Sequence, residues 1–223
     1  VINDIDLFMK EHFNNLTLRP PLFYLWKYGI RFEISIPWVE HKDKWNLQQI
    51  KERSTGIFNK VFHETDKMLL ITDIHCEKND TFLQKRPTKV YQKYIKNKEI
   101  VRKLQHRVLP SVFLEDEDGE DYEDMVTHRF VLSCKKNDIR YNQLLTAISY
   151  EDFPHLSRIL KGFRRNDMDI YFINVSKKMI YHLYDDRGCD VIASNKEDLL
   201  PLYEDFNHWI LDYDREQIDQ LFK

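Results

Sequence analysis

Apolar residues recur along this chain in two rhythms, and the rhythms divide it into elements. Ile5, Phe8, Met9 and Phe13 fall at helical spacing behind Asp4, a residue suited to cap a helix. Pro20 and Pro21 end that run, because proline lacks the amide a helix needs. Ile30 to Ile36 alternates strictly, which predicts a half-buried strand with Ile30, Phe32, Ile34 and Ile36 inward. Asp43 then opens a long helical segment whose apolar face is Leu47, Ile50, Ile57, Phe58, Val61 and Phe62. A second strand is expected over Met68 to Glu77.

Val90, Tyr94, Val101, Leu104 and Val108 return to helical spacing, and Pro110 stops them. Val126 to Lys135 alternates again. Tyr141, Leu144, Leu145 and Ile148 predict a short helix. Ile170 to Ile173 is apolar on both sides, as a central strand is. Met179 to Tyr184 and Val191 to Ala193 complete the strands. Leu199, Leu202, Tyr203, Phe206, Trp209, Ile210 and Tyr213 form a last helical region. Helices and strands mix without βα alternation. That pattern predicts one α+β domain over 1–223, with a mostly antiparallel sheet and helices packed on one face.

Composition narrows the class. A hydrophobic fraction of 42% excludes a disordered chain. The 34 basic and 37 acidic residues nearly cancel, leaving −3 and no global field for a dedicated nucleic-acid binder. Five glycines argue against a glycine-rich phosphate cradle. Cys76, Cys134 and Cys189 are odd in number and form no CxxC pair, so a reduced, cytoplasmic protein is expected, with the thiols buried. No apolar run approaches the roughly 20 residues of a membrane span, and Val1 to Phe13 has no signal-peptide pattern.

Tyr184-Asp185-Asp186-Arg187-Gly188 lies between two strands. It predicts a type I turn closed by a left-handed glycine bulge at Gly188. The carboxylates of Asp185, Asp186 and Asp190 would also suit a hard cation, though without EF-hand spacing. Ser194-Asn195-Lys196-Glu197 reads as a capping box. Pro201 beyond it either kinks a helix or starts a new one.

The run from Ile180 to Ala193, containing Tyr184-Asp185-Asp186-Arg187-Gly188-Cys189-Asp190, resembles the C-terminal signature of an uncharacterised bacterial family, a domain of unknown function common in Bacillus-type bacteria. Leu199 to Tyr203 and Trp209 to Arg215 extend the likeness, and Leu22-Phe23-Tyr24 with Gly29 to Glu33 resembles its N-terminal signature. The resemblance implies no established activity. Small proteins of this general style also occur beside secreted toxin genes as immunity proteins, which makes a toxin one expected partner.

Charge is blocked in two places. Lys85 to Arg107 holds nine bases and the single acid Glu99. Glu115, Asp116, Glu117, Asp118, Glu120, Asp121, Glu123 and Asp124 follow within ten residues, a run that self-repulsion keeps on the surface. The acidic block would suit a basic protein partner, such as a toxin domain, and would speed its encounter. The basic block would track a nucleic-acid backbone.

Candidate chemistry is sparse. Asp73, His75 and Glu77 share one face of a strand and could ligate a divalent ion in a hydrolase or nuclease. No HExxH, GxSxG or Walker loop occurs. Arg31 and Glu33 share a strand face, where a surface ion pair is expected. The reading is therefore a non-enzymatic cytoplasmic protein-binding protein of immunity type, without membrane association or cofactor. Its expected contact residues are Glu115 to Asp118, Glu120 and Asp121, with Asp185, Asp186 and Arg187 as a second patch. A metal-dependent hydrolase and a nucleic-acid module on the basic segment are the alternatives.

Overall fold

A computed structural model describes residues 2–37, 39, 43–81, 87–113, 124–150 and 168–223. Its centre is a sheet of β1 (Gly29–Glu33), β2 (Met68–Glu77), β3 (Gln105–Pro110), β4 (Met125–Cys134), β5 (Met168–Asn174), β6 (Met179–Leu183) and β7 (Gly188–Ala193). The strand order is β1-β7-β6-β5-β2-β4-β3, and every neighbour runs antiparallel. The structure is α+β, as the mixed rhythms predict.

The helices are α1 (Ile2–Phe13), α2 (Leu22–Leu25), α3 (Lys44–Val61), α4 (Lys89–Tyr94), α5 (Lys98–Val101), α6 (Tyr141–Ser149), α7 (Leu200–Phe206) and α8 (Arg215–Phe222). Asp43 caps α3 by accepting from the amides of Trp45 and Asn46, two donors the helix itself cannot satisfy. The helix buries Ile50, Ile57, Phe58 and Val61 against the sheet. Phe58 lies 4.6 to 5.7 Å from the rings of Phe62, Tyr141, Phe172 and Tyr181, so one side chain ties α3, α6 and two strands together. Burying such a ring contributes on the order of 1.5–3 kcal/mol. Val90, Tyr94, Leu144, Leu202 and Ile218 bring α4, α6, α7 and α8 to the same core. The Tyr91 hydroxyl crosses that core to donate to Phe130 O at 2.9 Å, satisfying a polar group that is otherwise fully buried.

The second face is covered too. Ile5, Phe8, Met9 and Phe13 of α1, with Leu18 and Leu22, pack on Leu69, Ile71, Val131, Tyr171, Ile173, Ile180 and Ile192. Period two explains why these strand residues, and not their neighbours, face α1.

Three local expectations need correction. Val90 to Val108 is not one helix. The chain extends at Ile95, which bridges to Ile139, and Asn97 then caps the separate α5 by accepting from Glu99 N at 2.9 Å. Gln105 to Pro110 becomes β3, so Val108 stands 54% exposed on a strand. Pairing with β4 outweighs the helical spacing because the segment also alternates. Ser194 does not form a capping box. Its hydroxyl has no partner among the described residues, and Lys196–Leu199 is a single 3₁₀ turn. Pro201 instead sits in the first turn of α7, where its missing amide costs nothing. Tyr213 is not a core residue of a last helix. It lies in the 3₁₀ turn Asp212–Asp214 and is 87% exposed.

Candidate functional site

The stretches that carry the family resemblance are far apart in sequence and meet at β1. Arg31 on β1 lies opposite Asp190 on β7. Its Nε donates to Asp190 Oδ1 at 2.8 Å, and a second nitrogen donates to Oδ2 at 3.1 Å. Asp190 is fully buried and also accepts from Phe23 N at 3.1 Å. The Arg31 side chain is only 12% exposed, so the expected surface pair is a buried one. Burial opposes its charge, but the hydrogen bonds and field of Asp190 hold the guanidinium proton more firmly than usual. The rings of Phe23, Tyr24 and Tyr184 surround it at 5.7, 4.7 and 5.6 Å. A planar cation among aromatic faces is stabilised by their quadrupoles. Tyr24 Oη in turn donates to Asp214 at 2.8 Å, and Leu211 N donates to Arg31 O, so the C-terminal stretch closes over the strand.

The hairpin beside this cluster is built by its own residues. Asp185 accepts from Arg187 N and from the Arg187 guanidinium, both at 2.7 Å. Asp185 is therefore a turn-former, 5% exposed, while Asp186 is half-buried and Arg187 is exposed. Gly188 does not take the left-handed conformation expected of it. A Cβ there would stand 2.2 Å from Tyr184 Oη and 2.7 Å from Phe32 O, so close approach, not positive φ, requires the glycine.

A groove of about 590 Å³ runs past the hairpin. Phe32, Ile36, Pro37, Val39 and Leu211 give it an apolar lining, and Glu33, Asp186, Arg187 and Asp212 give it charge. Tyr213 stands exposed next to Asp212. Burial pushes the Glu33 carboxyl up, against the opposing pull of Arg53.

A second polar cluster lies on the α1 face. Asp73 is fully buried and takes a bidentate pair from Arg129, with Nε at 2.8 Å from Oδ1. His75 Nδ1 lies 3.0 Å from Thr127 Oγ1, and its Nε2 lies 3.0 Å from Asp169 Oδ2. Because a carboxylate only accepts, Nε2 donates to Asp169, while Nδ1 shares a hydrogen bond with the Thr127 hydroxyl. His182 Nε2 stands 3.3 Å from the other Asp169 oxygen. Burial pushes Asp169 up, but the hydrogen bonds and fields of His182 and His75 overcome it and hold the carboxyl well below its usual range. The order hydroxyl, imidazole, carboxylate is that of a nucleophile relay. Here it is closed: Thr127 is fully buried, so no substrate carbonyl can reach Oγ1.

The expected Asp73, His75 and Glu77 set is thus divided. Asp73 neutralises Arg129, His75 joins Asp169, and Glu77 faces solvent. Among the described residues no group of three or more His, Cys, Asp or Glu side chains is placed to hold a metal ion. The three cysteines are buried, and burial pushes Cys76 up to about 11 and Cys134 up to about 12. Sequence reading misses Thr127 and Asp169. The signal was present in strand parity, since Thr127 and Arg129 share a face with Val131, and Asp169 shares one with Tyr171.

Of the charge blocks, Glu115 to Asp118, Glu120 and Asp121 lie outside the described residues, as do Lys85 and Arg86. The described flanks of the acidic segment are fixed. Phe113 packs its ring 4.9 Å from His75, and Asp124 O accepts from Lys78 N at 2.8 Å. The described bases of this block are spread over several elements. Lys89 and Lys93 lie on α4, Lys98 on α5, and Arg107 on β3, where it makes a bidentate pair with Asp6 at 2.7 Å.

An antiparallel α+β protein, fastened at its β1 edge by an aromatic-caged Arg31–Asp190 pair, is the class this geometry defines. The chain belongs to the family described as a domain of unknown function, DUF3885, whose pattern matches residues 5–214. It is 33% identical over 211 residues to YnaE, an uncharacterised protein of Bacillus subtilis (strain 168), covering 92% of this chain and 96% of that protein. No solved structure matches it significantly. Among the described residues, no helix is long and apolar enough to cross a membrane.

Proposed function

We propose that this protein binds another protein through the groove beside the Tyr184–Arg187 hairpin, and that the partner presents a basic segment there. The observation that carries this reading is the groove's make-up. Apolar Phe32, Ile36, Pro37 and Leu211 lie beside the acids Glu33, Asp186 and Asp212 and the outward Arg187. An apolar centre with a charged rim is the anatomy of protein contacts, and exposed Tyr213 is of a type enriched at their hot spots. Asp212 pairs with Arg215, and the acids Glu33 and Asp186 still outnumber Arg187 along the lining, which favours a cationic partner segment. The acidic run from Glu115 to Asp124 adds long-range attraction of the same sign. A toxin domain neutralised by an immunity-type protein is the partner class that agrees with this chemistry.

The test uses a partner recovered by co-purification and then remeasured with purified components. Asp186→Lys combined with Tyr213→Ala is expected to weaken binding by at least about tenfold, or roughly 1.4 kcal/mol, with an unchanged melting temperature. Rising salt is expected to slow association. Equal affinity for the variant and the wild type would reject the groove as the contact surface.

A further inference from the structure

A second concave site lies between the end of α1 and the end of β3. It has a volume of about 410 Å³, within the range of small-ligand sites. Ile5 and Met9 of α1, with Leu16, Leu109 and Val112, give it apolar walls. Asp6 and Arg129 are the charged residues of the described lining.

The sheet register gives this cavity its chemistry. Arg107 on β3 stands directly opposite Arg129 on β4. Like charges opposed across two strands repel, and each arginine is held by a carboxylate. Asp73 takes Nε and Nη2 of Arg129, while Asp6 takes Nη1 and Nη2 of Arg107. Neither guanidinium is exhausted by its pair. Asp73 leaves Nη1 of Arg129 for a further acceptor. Arg107 Nε is buried and has no hydrogen-bond partner among the described residues, although a buried polar group is normally satisfied. The two arginines together therefore carry more donors than their two carboxylates accept. The Arg129 side chain is only 7% exposed, and it reaches the outside as part of this cavity's lining. Asp6 adds the opposite sign in the same lining. Hydrogen bonds from Arg107 hold its carboxyl below the usual range against burial, and the field of Arg129 adds to the effect.

We infer that this cavity binds a small aliphatic carboxylic acid of amino-acid size, with its carboxylate on Arg129 and its hydrocarbon tail against the apolar walls. A carboxylate on a guanidinium makes a charge-assisted hydrogen bond. It also offsets the repulsion between Arg107 and Arg129, which a cationic ligand would increase. The tail gains roughly 25 cal/mol for each Å² of apolar surface it removes from water. Asp6 offers an acceptor to an α-ammonium group, so an aliphatic amino acid uses both charged residues of the lining.

The test is an NMR titration of the full chain with L-leucine, with isocaproate and with isoamylamine, which has a similar tail and no carboxylate. Sodium chloride at matched ionic strength is the reference. Saturable shifts of the Met9, Leu16 and Val112 methyl groups are expected, with a Kd on the order of 1 mM for the acids. Isoamylamine is expected to bind about tenfold more weakly or not at all. Val112 is half-buried and lies outside the strands. Val112→Asp sets a second carboxylate in the lining and is expected to weaken acid binding about tenfold or more, at an unchanged melting temperature. Arg129→Lys keeps the charge but has no nitrogen to spare from Asp73, and a similar loss is expected; Val112→Asp decides the matter if that variant does not fold. Tighter binding of leucine than of isocaproate would assign the site to amino acids, and the reverse would assign it to simple acids; either result upholds the inference. No saturable shift with either acid, amine binding as tight as acid binding, or acid binding indifferent to Val112→Asp would overturn it.

Discussion

Asp73 shows how a residue that looks chemical in the sequence becomes structural in the fold. Its carboxylate is fully buried and held by Arg129, so the two charges cancel inside the α1 face. Asp73→Ala leaves the Arg129 guanidinium buried and unpaired, which costs about 3–5 kcal/mol. Urea denaturation is expected to show that loss as a lower midpoint. Asp169 gives a pH signature. Its carboxyl is held below the ordinary range in the folded state, by His182 and His75 against burial. A depressed carboxyl stabilises the fold fully above its unfolded pKa, about 4. That contribution falls away as the pH drops from there towards the folded value. Asp169→Asn is therefore expected to lower stability near neutral pH and to flatten its acid limb. A variant with an unchanged acid limb would show that Asp169 titrates alike in both states.

At the scale of elements, the contrast between β2 and β3 shows what the sequence reveals. Met68 to Glu77 is readable because its alternation coincides with an apolar face on each side of the sheet. Asp43 is readable because a cap acts locally. Gln105 to Pro110 is not, because its local spacing fits a helix equally well and only the pairing with β4 separates the two. Turn chemistry predicts a positive φ at Gly188, whereas the constraint is Tyr184 and the carbonyl of Phe32, a contact no local pattern contains. The two arrangements of Val108 are separable by experiment. On the exposed strand, Val108→Lys is expected to change stability by no more than about 0.5 kcal/mol. Val90→Lys, at a buried α4 position, is expected to cost several-fold more or to prevent folding. A large loss from Val108→Lys, read by thermal denaturation, would contradict the strand.

Across the whole molecule, the resemblance motifs fasten the β1 edge more than they supply reactive groups. Arg31, Asp190 and Asp185 spend their polar atoms on one another or on neighbouring backbone and rings, and Asp214 holds Tyr24 through one carboxylate oxygen. The sequence made this edge visible as separated signatures, but not their meeting, since Phe23 and Asp190 are 167 residues apart. The groove is half legible: the hairpin signature itself contains Asp186 and Arg187, while Glu33 and Asp212 join them only in the folded chain. What remains outward there is the apolar and acidic groove, with Tyr213 beside it. Hydrogen–deuterium exchange of the purified protein with its recovered partner tests this directly. Slowed exchange in Glu33 to Pro37, Tyr184 to Arg187 and Leu211 to Tyr213 on complex formation is the expected result. Unchanged exchange in all three stretches, with protection elsewhere, would contradict it.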